Sequence, residues 1–290
     1  MGSGVKIGLM FANAGPFSQR AGAKLLAKAS EEFEVESLWT VEHVVIPDGY
    51  ESAYPYSSSG KIPGPEDVPI PDPLNWIGFM AALTEKVKLA TGILILPQRH
   101  PLYVAKELAT LDQLSNGRVM LGIGIGWLKE EFDALGIPFD QRVGRTEESV
   151  EALRSLWGSG ARAFRGEYYD WDACYSSPKP VQEGGIPVVV GGHVKGAARR
   201  AGRIGDGFFP AKGSLDEMKV MIEEMRNEAE KVGRDPSAIE LSTMPDMRDT
   251  DHLRALIDLG FTRFMTGPPG YDEDGLRSGL EKLAELAASL

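Results

Sequence analysis

Strand-like and helix-like patterns take turns along the whole chain. Residues 5–11 (VKIGLMF) form a short apolar run suited to a buried strand, and 20–33 follows with Leu25, Leu26, Ala29 and Phe33 at helical spacings. Residues 37–43 (SLWTVEH) predict a second strand, and Pro73 opens a helix that runs to about Glu85. A third strand is predicted over 88–96 (KLATGILIL). A helix over 101–115 then carries Leu102, Ala105, Leu108 and Leu111 on one side and stops at Asn116-Gly117. A fourth strand is predicted over 119–126 (VMLGIGIG), with helices beyond it to about Trp157. The second half continues with strands over 186–192, 207–210, 239–245 and 261–267. Helices over 195–202, 214–232, 250–259 and 272–288 alternate with them. Met218, Met221, Met225, Ala229 and Val232 make the apolar stripe of the 214–232 helix, a core pattern.

Eight strands, each followed by a helix, predict an α/β fold: a single (β/α)8 TIM barrel over residues 1–290. The alternative is an open doubly wound sheet, but no linker or shift of composition divides the chain. Two insertions interrupt the rhythm, at about 44–72 after the second strand and about 163–183 after the fourth. Barrel active sites lie at the C-terminal ends of the strands. The first insertion, rich in proline, glycine and tyrosine, leaves such an end and reads as a lid, a binding loop or a disordered stretch. The second is aromatic and holds a small hairpin.

Composition narrows the partners. A formal net charge of −11 argues against nucleic acid, whose phosphates want basic patches. No apolar run approaches the ~18 residues of a membrane span, and the N-terminal MGSGVKIGLMF lacks the pattern of a signal peptide. The single cysteine, Cys174, rules out an internal disulfide and a thiolate metal cluster, so a reducing cytoplasm is expected. No two histidines have metal-ligand spacing, and no metal is predicted.

The chemistry gathers at strand ends. Glu42-His43 closes the second strand, and a carboxylate beside an imidazole suits acid–base work near neutral pH. Gly191-Gly192-His193 ends the fifth strand and leads into a helix, where bare amides favour a phosphate; Lys195 and Lys212 add charge nearby. Gly122, Gly124 and Gly126 alternate along the fourth strand and strip one of its faces, while Gly92 interrupts its neighbour. Together they suggest a flat ligand lying against main chain. This run lacks the turn spacing of a dinucleotide fingerprint, so a nicotinamide site is disfavoured. Arg199-Arg200 reads as a solvated helix face, Gly205-Asp206-Gly207 as a tight turn into the sixth strand, and His100 and His252 as structural or solvated. Trp127 either walls a pocket or caps the barrel.

These motifs resemble the luciferase-like monooxygenase family, more closely its branch that uses the deazaflavin coenzyme F420. The resemblance covers nearly the whole chain. It rests on SLWTVEH (37–43), LATGILILPQRHP (89–101), LDQLSNGRVMLGIGIGWLKEEF (111–132), SPKPVQ (177–182), VVVGG (188–192) and RAGRIGDGFFP (200–210), with 89–132 the most specific stretch. It implies an oxidoreductase holding F420, or alternatively FMN, in the barrel mouth and acting on a small organic substrate. It also implies a non-proline cis peptide at Gly92-Ile93 behind the ring, an acid–histidine pair at Glu42 and His43, and phosphate-binding amides at Gly191 and Gly192, helped by His193 and Lys212. Gly126 would border the same cofactor site. Glu42 stands where many deazaflavin members carry aspartate. Trp127 stands where some deazaflavin dehydrogenases carry a catalytic carboxylate, which speaks against sugar-phosphate dehydrogenation. The resemblance further implies a homodimer and, for an FMN monooxygenase, a reductase partner supplying reduced flavin. A flavin-binding relative without turnover is the reading outside catalysis.

Overall fold

Short runs of β-branched and apolar residues send side chains to both faces, and the chain closes that two-sided pattern into a ring. In the computed structural model, which describes residues 5–65 and 67–290, the strands are β1 (Lys6–Leu9), β2 (Ser37–Thr40), β3 (Lys88–Thr91), β4 (Leu94–Ile95), β5 (Val119–Gly124), β6 (Arg162–Arg165), β7 (Asp170–Cys174), β8 (Val188–Gly191), β9 (Gly207–Phe209), β10 (Glu240–Thr243) and β11 (Phe261–Thr266). The N-terminal MGSG, part of the leader and domain readings above, and Glu66 in the first insertion lie outside the described residues. Parallel pairing runs β3–β2–β1–β11–β10–β9–β8–β5, and β3 closes the ring by pairing with β5 as well. That closure excludes the open sheet, and the fold is a (β/α)8 barrel.

The helices fall where the periodicity puts them: α1 (Arg20–Glu32), α2 (Pro73–Ala81), α3 (Pro101–Leu114), α4 (Lys129–Ala134), α5 (Arg142–Trp157), α6 (Lys195–Ile204), α7 (Leu215–Lys231), α8 (Thr250–Asp258) and α9 (Glu273–Ser289). Their starts follow local chemistry. Asp72 accepts from the Asn75 amide with Pro73 in the first turn of α2, and Ser214 and Glu217 form a reciprocal capping box on α7. Among the described residues, no helix is long and apolar enough to cross a membrane.

One expected strand is broken. Residues 88–96 form β3 and β4, separated by a cis Gly92-Ile93 peptide. On this stave, Ala90 to Leu94 spans the same height as Met120 to Ile123 on β5, so it carries one extra residue. Among its described residues the first insertion has no helix or strand. The second does hold the expected hairpin, β6 with β7, where Phe164 stacks on Trp171 at 5.1 Å. Arg199 is exposed and pairs with Glu224, but Arg200 is buried and lies 3.3 Å from Glu147, so only the first belongs to a solvated face.

Two apolar layers hold the barrel. Leu9, Leu38, Leu89, Leu121, Val188, Phe208 and Phe264 pack outward under the helices, joined by Met218, Met221 and Met225 of α7. Met10, Trp39, Ala90, Met120, Val189, Phe209 and Met265 fill the inside. At the N-terminal end the fully buried Arg263 donates to Glu36 through two bonds of 2.8 and 2.9 Å and lies 2.6 Å from Glu240. A cleft of about 200 Å³ opens beside this cluster, lined by Lys6, Lys88, Asp206 and Glu240 among others. Its position at the barrel base, with its charges paired, assigns it to stability rather than chemistry.

Burial pushes the Glu36 carboxyl up, but Arg263 outweighs it and holds the group at about 2 against an ordinary 4.5. The folded value lies below the unfolded one. Its contribution, roughly 3 kcal/mol, is therefore complete above the unfolded pKa and lost as pH falls from there towards the folded value. Urea midpoints measured between roughly pH 6 and 3 should fall on acidification in the wild type. Glu36→Gln should start lower and show a shallower fall; an unchanged slope would refute the assignment.

Candidate active site

The mouth of the barrel is organised around the extra residue in its third stave. Glycine at 122 lets the Thr91 carbonyl pass: a Cβ there would sit 1.9 Å from that oxygen, and Thr91 Oγ1 donates to the Gly122 carbonyl at 2.7 Å. The Ile93 side chain then turns inward between β5 and β8. A Cβ at Gly124 would lie 2.6 Å from Ile93 Cδ1, and one at Gly191 would lie 2.8 Å from its Cγ2. Gly126, in the left-handed region at φ +78°, faces Phe132 and Ile95. The alternate glycines were expected to bare a face for a ligand. Instead, Thr91, Trp39 and Ile93 occupy the room at Gly122 and Gly124, and Ile93 itself becomes the half-buried floor of the mouth.

Glu42 secures this bulge. Its buried carboxylate accepts the Ile95 amide at 2.5 Å and the Arg99 guanidinium at 3.0 and 2.5 Å, and Arg99 also reaches Asp72 at 2.7 Å. Burial raises the Glu42 carboxyl against the pull of Arg99, and it also tends to lower Arg99, which Glu42 and Asp72 nevertheless carry above its ordinary range. Three donors converge on one carboxylate, and that geometry belongs to the ionised pair. Glu42 is thus spent on backbone and Arg99, and the expected Glu42–His43 couple is not formed.

His43 has another partner. Its Nδ1 lies 3.1 Å from Oε2 of Glu131, a fully buried residue of α4. Oε1 of Glu131 accepts the Val44 amide at 2.6 Å and the Val45 amide at 3.3 Å, at the root of the 44–72 insertion. The neighbouring Glu130 accepts the Glu51 and Ser52 amides at 2.7 and 3.0 Å. The insertion then crosses the mouth on aromatic contacts. Trp127 meets His43 at 5.7 Å, Tyr50 at 5.7 Å and Tyr54 at 5.2 Å, while Tyr56 meets His193 at 5.0 Å. Trp127 therefore joins imidazole to insertion rather than merely capping the barrel.

On the far side of the floor, Gly192 (φ +133°) turns the chain from β8 into α6. α6 has no side-chain cap and no acid in its first turn, which leaves its N-terminal amides suited to an anion. His193 Nδ1 is buried without a partner among the described residues, and burial, then the Lys212 charge, lowers its pKa. The Gly192 amide itself donates to the Phe209 carbonyl at 3.1 Å. It is committed to the barrel ladder, contrary to the expected phosphate contact. Lys212 donates to the Pro55 carbonyl at 2.5 Å and sits 5.5 Å from the Tyr56 ring, so the insertion covers this corner too.

Several residues here escaped the sequence reading. Arg99, in a turn, and Glu130 and Glu131, on a short helix, were not singled out there. Asn13, fully buried, accepts the Val41 amide and donates to the Val41 and Pro71 carbonyls, tying β2 to the end of the insertion. Phe11, two residues past β1, has φ +59° and partial exposure, an uncommon backbone state for an aromatic residue and one found at functional rims. The acid pair in GWLKEEF was the one available signal.

The profile of the luciferase-like monooxygenase family matches residues 15–246. The chain belongs to that family. An uncharacterized protein of Mycobacterium tuberculosis is 31% identical over 271 residues, covering 90% of this chain and 92% of the relative. An F420-dependent glucose-6-phosphate dehydrogenase of Nakamurella multipartita is 31% identical over 81% of this chain and 66% of its own length. An FMNH2-dependent dimethylsulfone monooxygenase of Pseudomonas putida is 34% identical over 52% and 42%. Among solved structures, the F420-dependent tetrahydromethanopterin reductase of Methanopyrus kandleri superposes with a TM-score of 0.72 at 19% identity, covering 98% of this chain and 97% of that one. The protein is an oxidoreductase of a luciferase-like family with F420-dependent and FMN-dependent members.

Two glycine substitutions separate backbone from side-chain crowding. Gly122→Ala meets a main-chain carbonyl that cannot rotate away, whereas Gly124→Ala meets the end of an isoleucine. Thermal unfolding should show a much larger loss for the first, beyond the ~1–3 kcal/mol usual for overpacking. Comparable losses would show that the bulge yields. Glu42→Ala should cost about 3–5 kcal/mol by urea unfolding, because it strands the Arg99 charge and the Ile95 amide.

Proposed function

We propose that the protein is an F420-dependent oxidoreductase, passing a hydride between the deazaflavin and a small organic substrate. The observation that carries this reading is the placement of two unlike groups across one floor. Around the ring of strands, β2 delivers His43, the next stave delivers the cis Gly92-Ile93 bulge, and β8, beyond β5, delivers the uncapped helix with the partnerless His193 Nδ1. An anion cradle, an apolar floor and an imidazole in that order fit a phosphorylated planar cofactor. The orphaned nitrogen is the test of fit, because a buried polar atom of this kind wants a partner.

When bound, the deazaflavin would supply a two-electron hydride carrier. The chain's own residues would do the rest. His193, Lys212, Gly191 and the amides that open α6 would hold the phosphate, with Gly192 contributing shape. Gly92, Ile93 and Gly126 would support the ring from below. His43 would hold or take the substrate proton through Nε2. The insertion would exclude water, with Trp127, Tyr50 and Tyr54 as its inner wall. Glu42 would act by holding the bulge in place.

An FMN-dependent monooxygenase is the second reading, favoured by the dimethylsulfone monooxygenase relative and served by the same phosphate corner. That reading adds a reductase partner delivering reduced flavin. Both readings extend to a homodimer in the reducing cytoplasm, consistent with a single cysteine.

Anaerobic titration of the purified protein should show tight binding of F420 and weak binding of FMN; the reverse order would transfer the assignment to the monooxygenase. His43→Ala should keep cofactor affinity and lose on the order of 10²-fold or more in turnover. Unchanged turnover would remove His43 from the chemistry. A substrate screen that leaves the deazaflavin absorbance unaltered throughout would favour a binding protein without catalysis.

A further inference from the structure

We infer that Glu131 is a positioning residue that fixes the tautomer of His43 and couples it to the root of the insertion. The inference rests on the reading of His43 as the proton-transfer group, but its structural content stands alone. Glu131 is fully buried, and its two oxygens are divided between two tasks. Oε1 takes the Val44 and Val45 amides, both obligatory donors, and Oε2 faces His43 Nδ1 at 3.1 Å. A carboxylate has only acceptor capacity, so the imidazole must place its hydrogen on Nδ1 to satisfy that contact. Nε2 then keeps its lone pair. It has no hydrogen-bond partner among the described residues, and it is not a sealed orphan like His193 Nδ1. The nitrogen left available is the one able to accept a proton from a substrate hydroxyl or to return it.

The same carboxylate links ring orientation to the insertion. Val44 and Val45 follow His43 directly, so the imidazole and the first two amides of the insertion are gripped as one unit. Glu130, one residue earlier on α4, holds Glu51 and Ser52 farther along, while the His43 ring faces Glu131. The two acids of GWLKEEF thus divide the labour: Glu130 anchors the insertion, and Glu131 anchors insertion and imidazole together.

The test is imidazole 15N NMR of the full chain labelled with 15N-histidine, in mildly alkaline buffer and without cofactor. The chain has four histidines, and His43→Ala identifies the signal. The wild type should show a protonated Nδ1 and an unprotonated Nε2 at His43; the opposite tautomer overturns the inference at once, whatever the variants do. Glu131→Ala should release the ring to the Nε2–H form and lower kcat on the order of 10²-fold, with cofactor affinity unchanged. Glu130→Ala should loosen the insertion yet leave the His43 tautomer as in the wild type. If Glu130→Ala changes the tautomer as much as Glu131→Ala, the effect belongs to the insertion and Glu131 has no special role. The spectrum needs no cofactor or substrate, so a failure of the deazaflavin reading would leave it intact. A wrong tautomer in an active F420 enzyme would sink only this inference.

Discussion

The Thr91 carbonyl lies against the bare α-carbon of Gly122, and the architecture of the mouth follows from that approach. It gives the third stave room for one residue more than its neighbour, so Ile93 can turn into the barrel between Gly124 and Gly191. A methyl group at residue 122 would remove the space. The bulge would then have to move outward or the ring of strands would have to open. Glycine in a strand weakens it locally, and here the interior aromatic packing of Trp39 and Phe209, 6.2 Å apart, lies just below to compensate.

Buried charge is used twice, for different ends. At the base, Arg263 with Glu36 and Glu240 closes the barrel with paired groups that remain inside it. At the mouth, Glu42, Arg99 and Asp72 join the bulge to the start of α2 and thereby to the end of the insertion. Breaking either set would leave a lone charge in a place of low polarity, which is far more costly than the pair is stabilising. Both sets therefore enforce geometry. The mouth set keeps the Ile95 amide in register just above the cis peptide, and the base set fixes the other end of the same strands.

The insertion is a structured cover rather than a slack loop. Its root is held by Glu131 and its far end by Asn13, its middle by Glu130 and Trp127, and its tip by Lys212 and His193. Most of these anchors come from the strand ends that would hold cofactor and substrate. Tyr56 and Pro55 use the same His193 and Lys212 that the proposed phosphate corner would require, so on that reading the insertion and the site would be coupled.

The chain's own pattern determined the alternation of eight strands with their helices and favoured a barrel over an open sheet. These follow from local periodicity and from caps only a few residues long, as at Ser214 and Asp72. The strand ends were legible only to within a few residues, because they flare into the mouth where neighbours decide the pairing. Tertiary structure alone decided the partners. Glu42 and His43 are adjacent in sequence, but alternate side chains on a strand point apart, so one goes to Ile95 and Arg99 and the other to Glu131, 88 positions away. The role of the glycines was likewise hidden. A missing side chain shows that something comes close, and only the fold could reveal that the visitor is the protein's own Thr91 carbonyl and Ile93 side chain.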